Sequence, residues 1–465
     1  MVVAHITDQE QRQLKQFFDG PSLGRTLATA RSRRVGRGYS IEPGVEQTHP
    51  VTGRTLLQQQ GPLSFISEKE PVPLTDVEEA IVCWAACGPN GLIAWDLPLH
   101  GAFNELTYLA GRTIPSAANS LGTDMLIIND RGTFIYKASR DRSKPVEIES
   151  EDDYGKVLQW YRESLIRISE SRPDIDWATK PPGTPDGCVF GPWQYNVNRP
   201  GSTWFIPVQD IGWLYLSVRP VIFEWFATYM VDDFTGEPAG LKKWVDQGLL
   251  TIPASISASE MSILQAETYP VGCMVQNIRL ACEALGLGSW VFCGYSDDAL
   301  MAGFPGLFKG LGFRAEPLNM KAPTQSGQLK IFGLEGVKES TYVPSPRYKN
   351  GEECMRALMA EKYGPGGVLS SGDDNKMRRE APYAPQTVEA ILNHPRARLA
   401  EWAIEASIAF IDYCVERYGQ CPVYFNPMQC NFGAVVHHVD EAFYEQYYVP
   451  GYITEPIRRH FHAWH

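Results

Sequence analysis

The sequence lacks the long apolar run and the paired cysteines that would mark a membrane or disulfide-rich protein. Its most membrane-like stretch, residues 211–231, contains Arg219, Pro220 and Glu224, and a bilayer core tolerates such residues poorly. The 10 cysteines include no C-x-x-C pair, which argues against a disulfide framework. We therefore expect reduced thiols, no membrane association and a cytoplasmic location.

Positive charge and hydrolase motifs are also scarce. The formal net charge is −12, which disfavours non-specific binding to nucleic acid. The first residues, MVVAHITDQEQRQLKQ, contain no apolar signal region. H-E-x-x-H does not occur, and G-x-S-x-G occurs only at residues 20–24 (GPSLG), between two predicted helices and not after a strand. We therefore read neither a zinc protease nor a protein nucleophile from these motifs.

What the sequence does have is a periodic stretch at 265–295. Across the 465-residue chain, 44% of residues are hydrophobic, enough for a sizeable core. Val271, Met274, Val275 and Ile278 follow the spacing of a helix with one buried face. Gly286 is suited to end that helix, and a short strand is predicted at 290–292. On periodicity alone, this is a core helix with a glycine cap.

Two further segments attract attention before that helix. Residues 31–39 (RSRRVGRGY) concentrate guanidinium groups, whose geometry matches phosphate oxygens; a solvated basic turn is the alternative. Residues 114–122 (IPSAANSLG) form a loop of small and amide side chains before a buried strand at 125–130. Such a loop can approach a flat ligand closely, although turn residues before strands are common.

Taken in order, these segments resemble the FMN-dependent nitroreductase family. Residues 33–39 are similar to the family's R-R-S-x-R-x-F segment, and residues 115–119 to its P-S-x-x-N-x-Q-P-W segment. Residues 271–295 resemble its helix and the G-L-G turn leading to the flavin. The resemblance covers roughly residues 31–40, 75–130 and 265–315. Val35 replaces the family serine, and residues 121–123 (LGT) replace Gln-Pro-Trp.

The resemblance implies a cofactor site and a mechanism. FMN would be the cofactor and NAD(P)H a possible electron donor, with electrons passing in ping-pong fashion to an aromatic or conjugated small molecule. Family members are usually homodimers with the flavin at the interface, so Ser116 could act from the partner subunit. Arg33 and Arg34 would bind the phosphate side, Arg37 would stabilise reduced flavin, and backbone amides near Cys293 and Gly294 would face the ring. The implied cofactor-binding set is Arg33, Arg34, Arg37, Ser116, Asn119, Cys293, Gly294 and Arg347.

The implied fold class is α+β, a mainly antiparallel sheet wrapped by helices. Residues 1–130 and 265–349 would form the flavin domain. Residues 131–264, rich in aromatic side chains, would be an insertion that forms a lid or substrate pocket, or else a large aromatic core. Residues 350–465 would be an α/β C-terminal extension.

Other functions stay open at this point. A flavin enzyme could instead oxidise a specialised biosynthetic or catabolic substrate with O2. The altered residues at 35 and 121–123 raise the alternative of a binding protein without turnover. A third alternative is a metal-dependent enzyme using His437, His438 and Asp440, with three further histidines near residue 460. Because no third ligand has convincing spacing, we expect structural or pocket roles for these histidines.

Overall fold

A computed structural model describes most of the chain. The described residues are 6–41, 46–48, 55–57, 62–92, 110–119, 122–137, 146–173, 175, 194, 196–293, 295–303, 309–317, 329–334, 347–426, 428–430 and 432–465.

Helices occupy much of the described chain and extend to its last residues. They are α1 (Asp8–Phe18), α2 (Leu23–Thr29), α3 (Asp76–Cys87), α4 (Gly155–Ser164), α5 (Ile211–Ser217), α6 (Arg219–Phe226), α7 (Lys242–Asp246), α8 (Ile256–Leu285), α9 (Asp297–Ala302), α10 (Gly351–Tyr363), α11 (Lys376–Glu380), α12 (Pro385–Leu392), α13 (Glu401–Tyr418), α14 (Glu441–Tyr447) and α15 (Glu455–Trp464).

The strands are mostly short. They are β1 (Ser40–Ile41), β2 (Glu46–Thr48), β3 (Thr55–Leu57), β4 (Phe65–Ile66), β5 (Pro89–Leu92), β6 (Ala110–Arg112), β7 (Thr123–Asn129), β8 (Gly132–Tyr136), β9 (Leu165–Ser169), β10 (Ser202–Asp210), β11 (Thr228–Val231), β12 (Ile252–Ser255), β13 (Gly288–Cys293), β14 (Arg314–Pro317), β15 (Leu329–Gly333), β16 (Met428–Gln429) and β17 (Phe432–His437).

The main sheet is antiparallel and draws on every part of the chain. Its strand order is β13-β17-β10-β7-β8-β9, and β16 pairs with β10. The α+β prediction is therefore confirmed. The predicted division into segments stays a prediction. In the structure, β8, β9 and β10 come from the proposed insertion and β17 from the proposed extension, so both segments contribute strands to the sheet.

Both faces of this sheet are buried. Along β7, Met125 and Ile127 pack with α3, α4 and α8, whereas Leu126 and Ile128 pack with the cluster around Trp204 on the other side. This alternation follows from the two-residue period of a strand. The aromatic stretch after β10 packs with α10 and α13 in a further core. The prediction of a large aromatic core therefore describes that stretch.

The periodic stretch forms the C-terminal half of α8. The helix begins after Ser255, ten residues before the stretch that the sequence singled out, and ends at Gly286, whose φ of 97° is left-handed. A β-carbon at Gly286 would lie 2.2 Å from the carbonyl oxygen of Pro456. Gly286 therefore both ends α8 and lets α15 dock against it.

Within the described part of the chain, no helix combines the length and the hydropathy that crossing a membrane requires.

Candidate functional site

The arginine segment lies between two strand ends. The backbone N–H of Arg33 donates to Ser289 O in β13 (2.9 Å), and that of Arg37 donates to His438 O just after β17 (3.0 Å). The bond to Ser289 holds the first predicted motif against the third, whereas the bond to His438 ties it to the end of β17. The spatial association of the two motifs, which the resemblance implied, is thus present in the fold.

The guanidinium groups of this segment point to different partners. Arg33 Nη1 lies 2.5 Å from Glu283 Oε2, and the two side chains are only 1% and 2% exposed. Arg34 lies over the Trp290 ring at 3.7 Å and Arg37 over the Phe461 ring at 3.9 Å. Breaking a buried ion pair costs about 3–5 kcal/mol, so Arg33 fits an FMN phosphate poorly.

The second motif meets α8 through its backbone. Asn277 Nδ2 donates to Thr113 O (3.2 Å), two residues before Pro115, and to Ala85 O at the end of α3 (2.9 Å). Ser116 is half-buried. Asn119 is buried with φ at 49°, a left-handed conformation that asparagine tolerates. Its side chain donates to Ala110 O at 3.5 Å, at the limit for a hydrogen bond.

The remaining predicted residues lie toward the other end of the sheet from Arg33. Cys293, at the end of β13, is exposed; it is four residues, or about 13 Å of strand, from Ser289. Arg347 is nearly buried and lies 3.4 Å from Asp210 at the end of β10. Gly294 lies outside the described residues. The predicted set is therefore spread along the sheet rather than gathered around one point.

A groove of about 730 Å³ opens along the outer face of α8. Thr113 and Pro115 line one side, and α8 residues from Met261 to Asn277 line the other. α8 also packs against β13, but no residue of β13 lines the groove.

A separate cluster of side chains converges at the start of α3. His438 Nε2, His460 Nε2 and His465 Nε2 lie 2.8, 2.6 and 3.4 Å from one oxygen of Glu78, Oε1. The His465 and His438 Nε2 atoms are 3.0 Å apart. All four ligand atoms lie within 4.8 Å of one another, as the donors around a single metal ion would.

Two members of this cluster, Glu78 and His438, are held in place by hydrogen bonds on the side away from the cluster. Glu78 is the third residue of α3, and its other oxygen accepts hydrogen bonds from the N–H and hydroxyl of Thr75. His438 Nδ1 lies 2.9 Å from Val72 O. Burial would raise the pKa of Glu78, but His438 and the hydrogen bonds from the three imidazoles hold it well below its usual range. Burial lowers the pKa of His460.

The structure does not bring together His437, His438 and Asp440, the residues of the alternative metal-dependent enzyme. His437, the last residue of β17, faces the side opposite to His438 because strand residues alternate, and its ring packs near Gly36 and Gly288. Asp440 caps α14 and contacts Ser67 and Lys69. Only His438 of these three residues belongs to the cluster, which Glu78 joins from the first turn of α3.

The adjacent acid, Glu79, has a different environment. It accepts hydrogen bonds from Thr203 Oγ1 (2.6 Å), Tyr161 OH (2.5 Å) and Asn129 Nδ2 (2.8 Å), and it pairs with Arg131. These donors satisfy a buried carboxylate fully. Glu79 is therefore a structural acid, whereas Glu78 faces groups that can all act as metal ligands.

Comparison with known proteins adds little to this geometry. No family model and no curated protein matches the chain. Among solved structures, the chain is similar to a protein from Ralstonia eutropha JMP134 described as a "putative nitroreductase", with 14% identity over 62% of this chain and 76% of that chain. The TM-score is 0.28, too low to establish a common fold or activity.

Proposed function

We propose that the protein is an FMN-dependent oxidoreductase of the nitroreductase-like type, acting on an aromatic or conjugated small molecule. The observation that carries this proposal is that one helix contacts the arginine segment and the residue that directly precedes the loop at 114–122. In α8, Glu283 pairs with Arg33 and Asn277 donates to Thr113 O. The two contacts are six residues apart, about 9 Å along the helix axis, a distance that a single cofactor can span.

The groove along α8 is the proposed place for the flavin ring. Its size lies within the range of small-molecule sites, and Pro115 in its wall adjoins Ser116. Ser116, Asn119 and the backbone near Cys293 would then hold the ring. Bound FMN would supply the hydride and electron transfer, whereas the chain would orient the ring and limit access of water.

The phosphate end requires a cation other than Arg33. Arg34 and Arg37 belong to the same segment and are only half-buried, so they are the better candidates. Arg347 is already close to Asp210. We assign Arg33 a positioning role, in which its pair with Glu283 keeps the segment against α8.

A second copy of the chain would complete the groove. Met261 and Tyr269 on α8 are 42% and 63% exposed, and exposed apolar side chains around a groove favour an interface. The homodimer implied by the family resemblance fits this face, with Ser116 of one subunit serving the flavin of the other.

A bulky substitution in the groove tests whether FMN binds there. A β-carbon at Gly272 meets no atom within 4 Å, and the same is true of Gly24 in α2. We expect Gly272→Trp to weaken FMN binding by at least about tenfold in titrations of the apoprotein, because the indole would occupy the ring position. Gly24→Trp is the matched control and should bind FMN like the parent protein. Equal FMN affinity in both variants would place the flavin elsewhere.

The direction of the reaction needs a separate experiment. Under anaerobic conditions, rapid bleaching of the flavin by NADH or NADPH would identify a reductase. Bleaching only by an organic substrate, with recovery in O2, would identify an oxidase. A flavin that responds to neither would favour the alternative of a binding protein without turnover.

A further inference from the structure

If the histidines of the cluster were neutral, its contact between His438 and Glu78 would join two hydrogen-bond acceptors. Val72 O can only accept, so His438 Nδ1, 2.9 Å away, carries the proton. In neutral His438 the Nε2 atom then presents a lone pair to Glu78 Oε1 at 2.8 Å. Two acceptors at that distance repel each other unless a cation lies between them or the imidazole is protonated.

The His438–Glu78 contact is the one that neutral side chains leave unexplained. His465 Nε2 lies 3.0 Å from His438 Nε2, and its N–H can donate to the lone pair of that atom. His460 Nδ1 has no hydrogen-bond partner among the described residues, so only its Nε2 is engaged. Three Nε2 atoms thus converge on one carboxylate oxygen, and a single divalent cation would reconcile all of them.

The spacing of these atoms suits a metal ion. In a tetrahedral zinc site, bonds of about 2.0–2.1 Å place neighbouring donor atoms about 3.3 Å apart. Four of the donor pairs are 2.6–3.4 Å apart, and all pairs lie within 4.8 Å. The close pairs would move apart and the longer ones together to reach that geometry. The Nδ1–H of His438 on a backbone carbonyl is the outer-shell contact typical of a metal-binding histidine.

We propose that Glu78, His438, His460 and His465 bind one divalent first-row transition metal, of which Zn²⁺ is the natural probe. Imidazole nitrogens favour this class over Ca²⁺ or Mg²⁺, which prefer oxygen. With Glu78 monodentate, the four protein ligands complete a tetrahedral shell, so the site is structural. It joins α3 to the end of β17 and to α15, segments up to 387 residues apart in the chain.

Burial supports a permanent site. The Glu78, His438 and His460 side chains are 0%, 2% and 2% exposed, and His465, at 16%, forms the outer edge. Phe461 stacks on His465 with ring centroids 5.0 Å apart, and Arg37 covers Phe461. The metal would therefore also hold the end of α15 beneath the arginine segment. This proposal is independent of the flavin assignment.

Metal binding should be measured on protein that carries no histidine tag and has not met a chelator during purification. We expect about one equivalent of Zn²⁺ or a similar metal by elemental analysis. After chelator treatment, added Zn²⁺ should rebind with the same stoichiometry and raise the Tm. Co²⁺ should give the intense visible absorption of a four-coordinate site.

Two variants and one control locate the site. Glu78→Gln keeps an oxygen for the Thr75 cap, and His460→Gln removes one ligand. Since loss of an outer-shell contact costs 10–100-fold in metal affinity, loss of a ligand should cost at least about 100-fold. His462→Gln changes an exposed residue of the same helix and should leave binding unchanged.

Two results would overturn the proposal. One is a parent protein that contains no stoichiometric metal and binds neither Zn²⁺ nor Co²⁺ after folding is verified by circular dichroism. The cluster would then be a protonated imidazolium–carboxylate network. The other is an equal loss of affinity in His462→Gln and His460→Gln, which would place the metal elsewhere.

Discussion

Two buried carboxylates, Glu283 and Glu78, lie near opposite ends of the arginine segment and are compensated differently. Glu283 pairs with Arg33, a permanent cation. Glu78 faces three imidazoles, each of which can be neutral and offer a lone pair. The first arrangement is electrostatically complete and holds the fold. The second has coordination capacity to spare, which is what distinguishes a binding site from a structural ion pair.

The largest effect should come from breaking the complete pair. Arg33→Ala leaves Glu283 buried without its cation, so we expect the free energy of unfolding to fall by about 3–5 kcal/mol in urea titrations. Lys243→Ala removes one partner of an exposed ion pair with Glu405 and should change stability by less than about 1 kcal/mol. If Arg33→Ala instead keeps its stability and loses only FMN affinity, Arg33 binds the phosphate, as the motif predicted.

A third buried carboxylate, Glu260, differs from Glu283 and Glu78 because it should make stability depend on pH. Glu260, also in α8, accepts hydrogen bonds from the backbone N–H groups of Val423 and Tyr424, and burial raises its pKa to about 8 from an ordinary 4.5. Between those pH values the folded protein retains a proton that the unfolded chain has released. Glu260 therefore contributes its full share to the free energy of unfolding below pH 4.5. That contribution is lost as the pH rises to 8, at up to about 1.4 kcal/mol per pH unit.

The variant Glu260→Gln isolates that contribution. It should be less stable at every pH, since one backbone donor loses its acceptor. Its unfolding free energy should nevertheless decline less steeply than that of the parent between pH 4.5 and 8. Parallel pH profiles for the two proteins would show that Glu260 is ionised throughout.

The smallest expected loss of stability comes from removing the Thr75 hydroxyl, which hydrogen-bonds to Glu78. Thr75 and Thr7 begin α3 and α1 with the same capping box, and replacing either by alanine should cost about 1 kcal/mol. Only Thr75→Ala should also weaken Zn²⁺ binding, by roughly 10–100-fold, because Thr75 orients a ligand. Thr7 lies on an exposed helix, so Thr7→Ala is the control. Equal Zn²⁺ affinity in both variants would mean that the cap does not position Glu78.

Local patterns predicted the elements that depend on local chemistry. The glycine end of α8 and the buried strand β7 both follow from spacing and composition, and the structure confirms them. The α+β class was also predicted correctly. That β10 and β17 lie side by side in one sheet was not predicted, because strand pairing across hundreds of residues leaves no periodic signal.

The histidine cluster was missed for a related reason. Its ligands come from the first turn of α3, the residue after β17 and the end of α15, so no fixed spacing connects them. His437, His438 and Asp440 looked plausible because they are adjacent, yet strand alternation separates His437 from His438. Only the tertiary contact of α15 with α3 reveals Glu78. The Arg33–Glu283 pair was equally invisible, since a basic motif does not indicate which cation turns inward.

The proposed function depends on FMN binding in the groove along α8. The most direct measurement is to denature the purified protein, separate any released small molecule by chromatography, and identify it by absorbance and mass. We expect FMN, approaching one per chain after the protein has been incubated with excess cofactor. A colourless protein that releases no flavin and takes up none would contradict the claim.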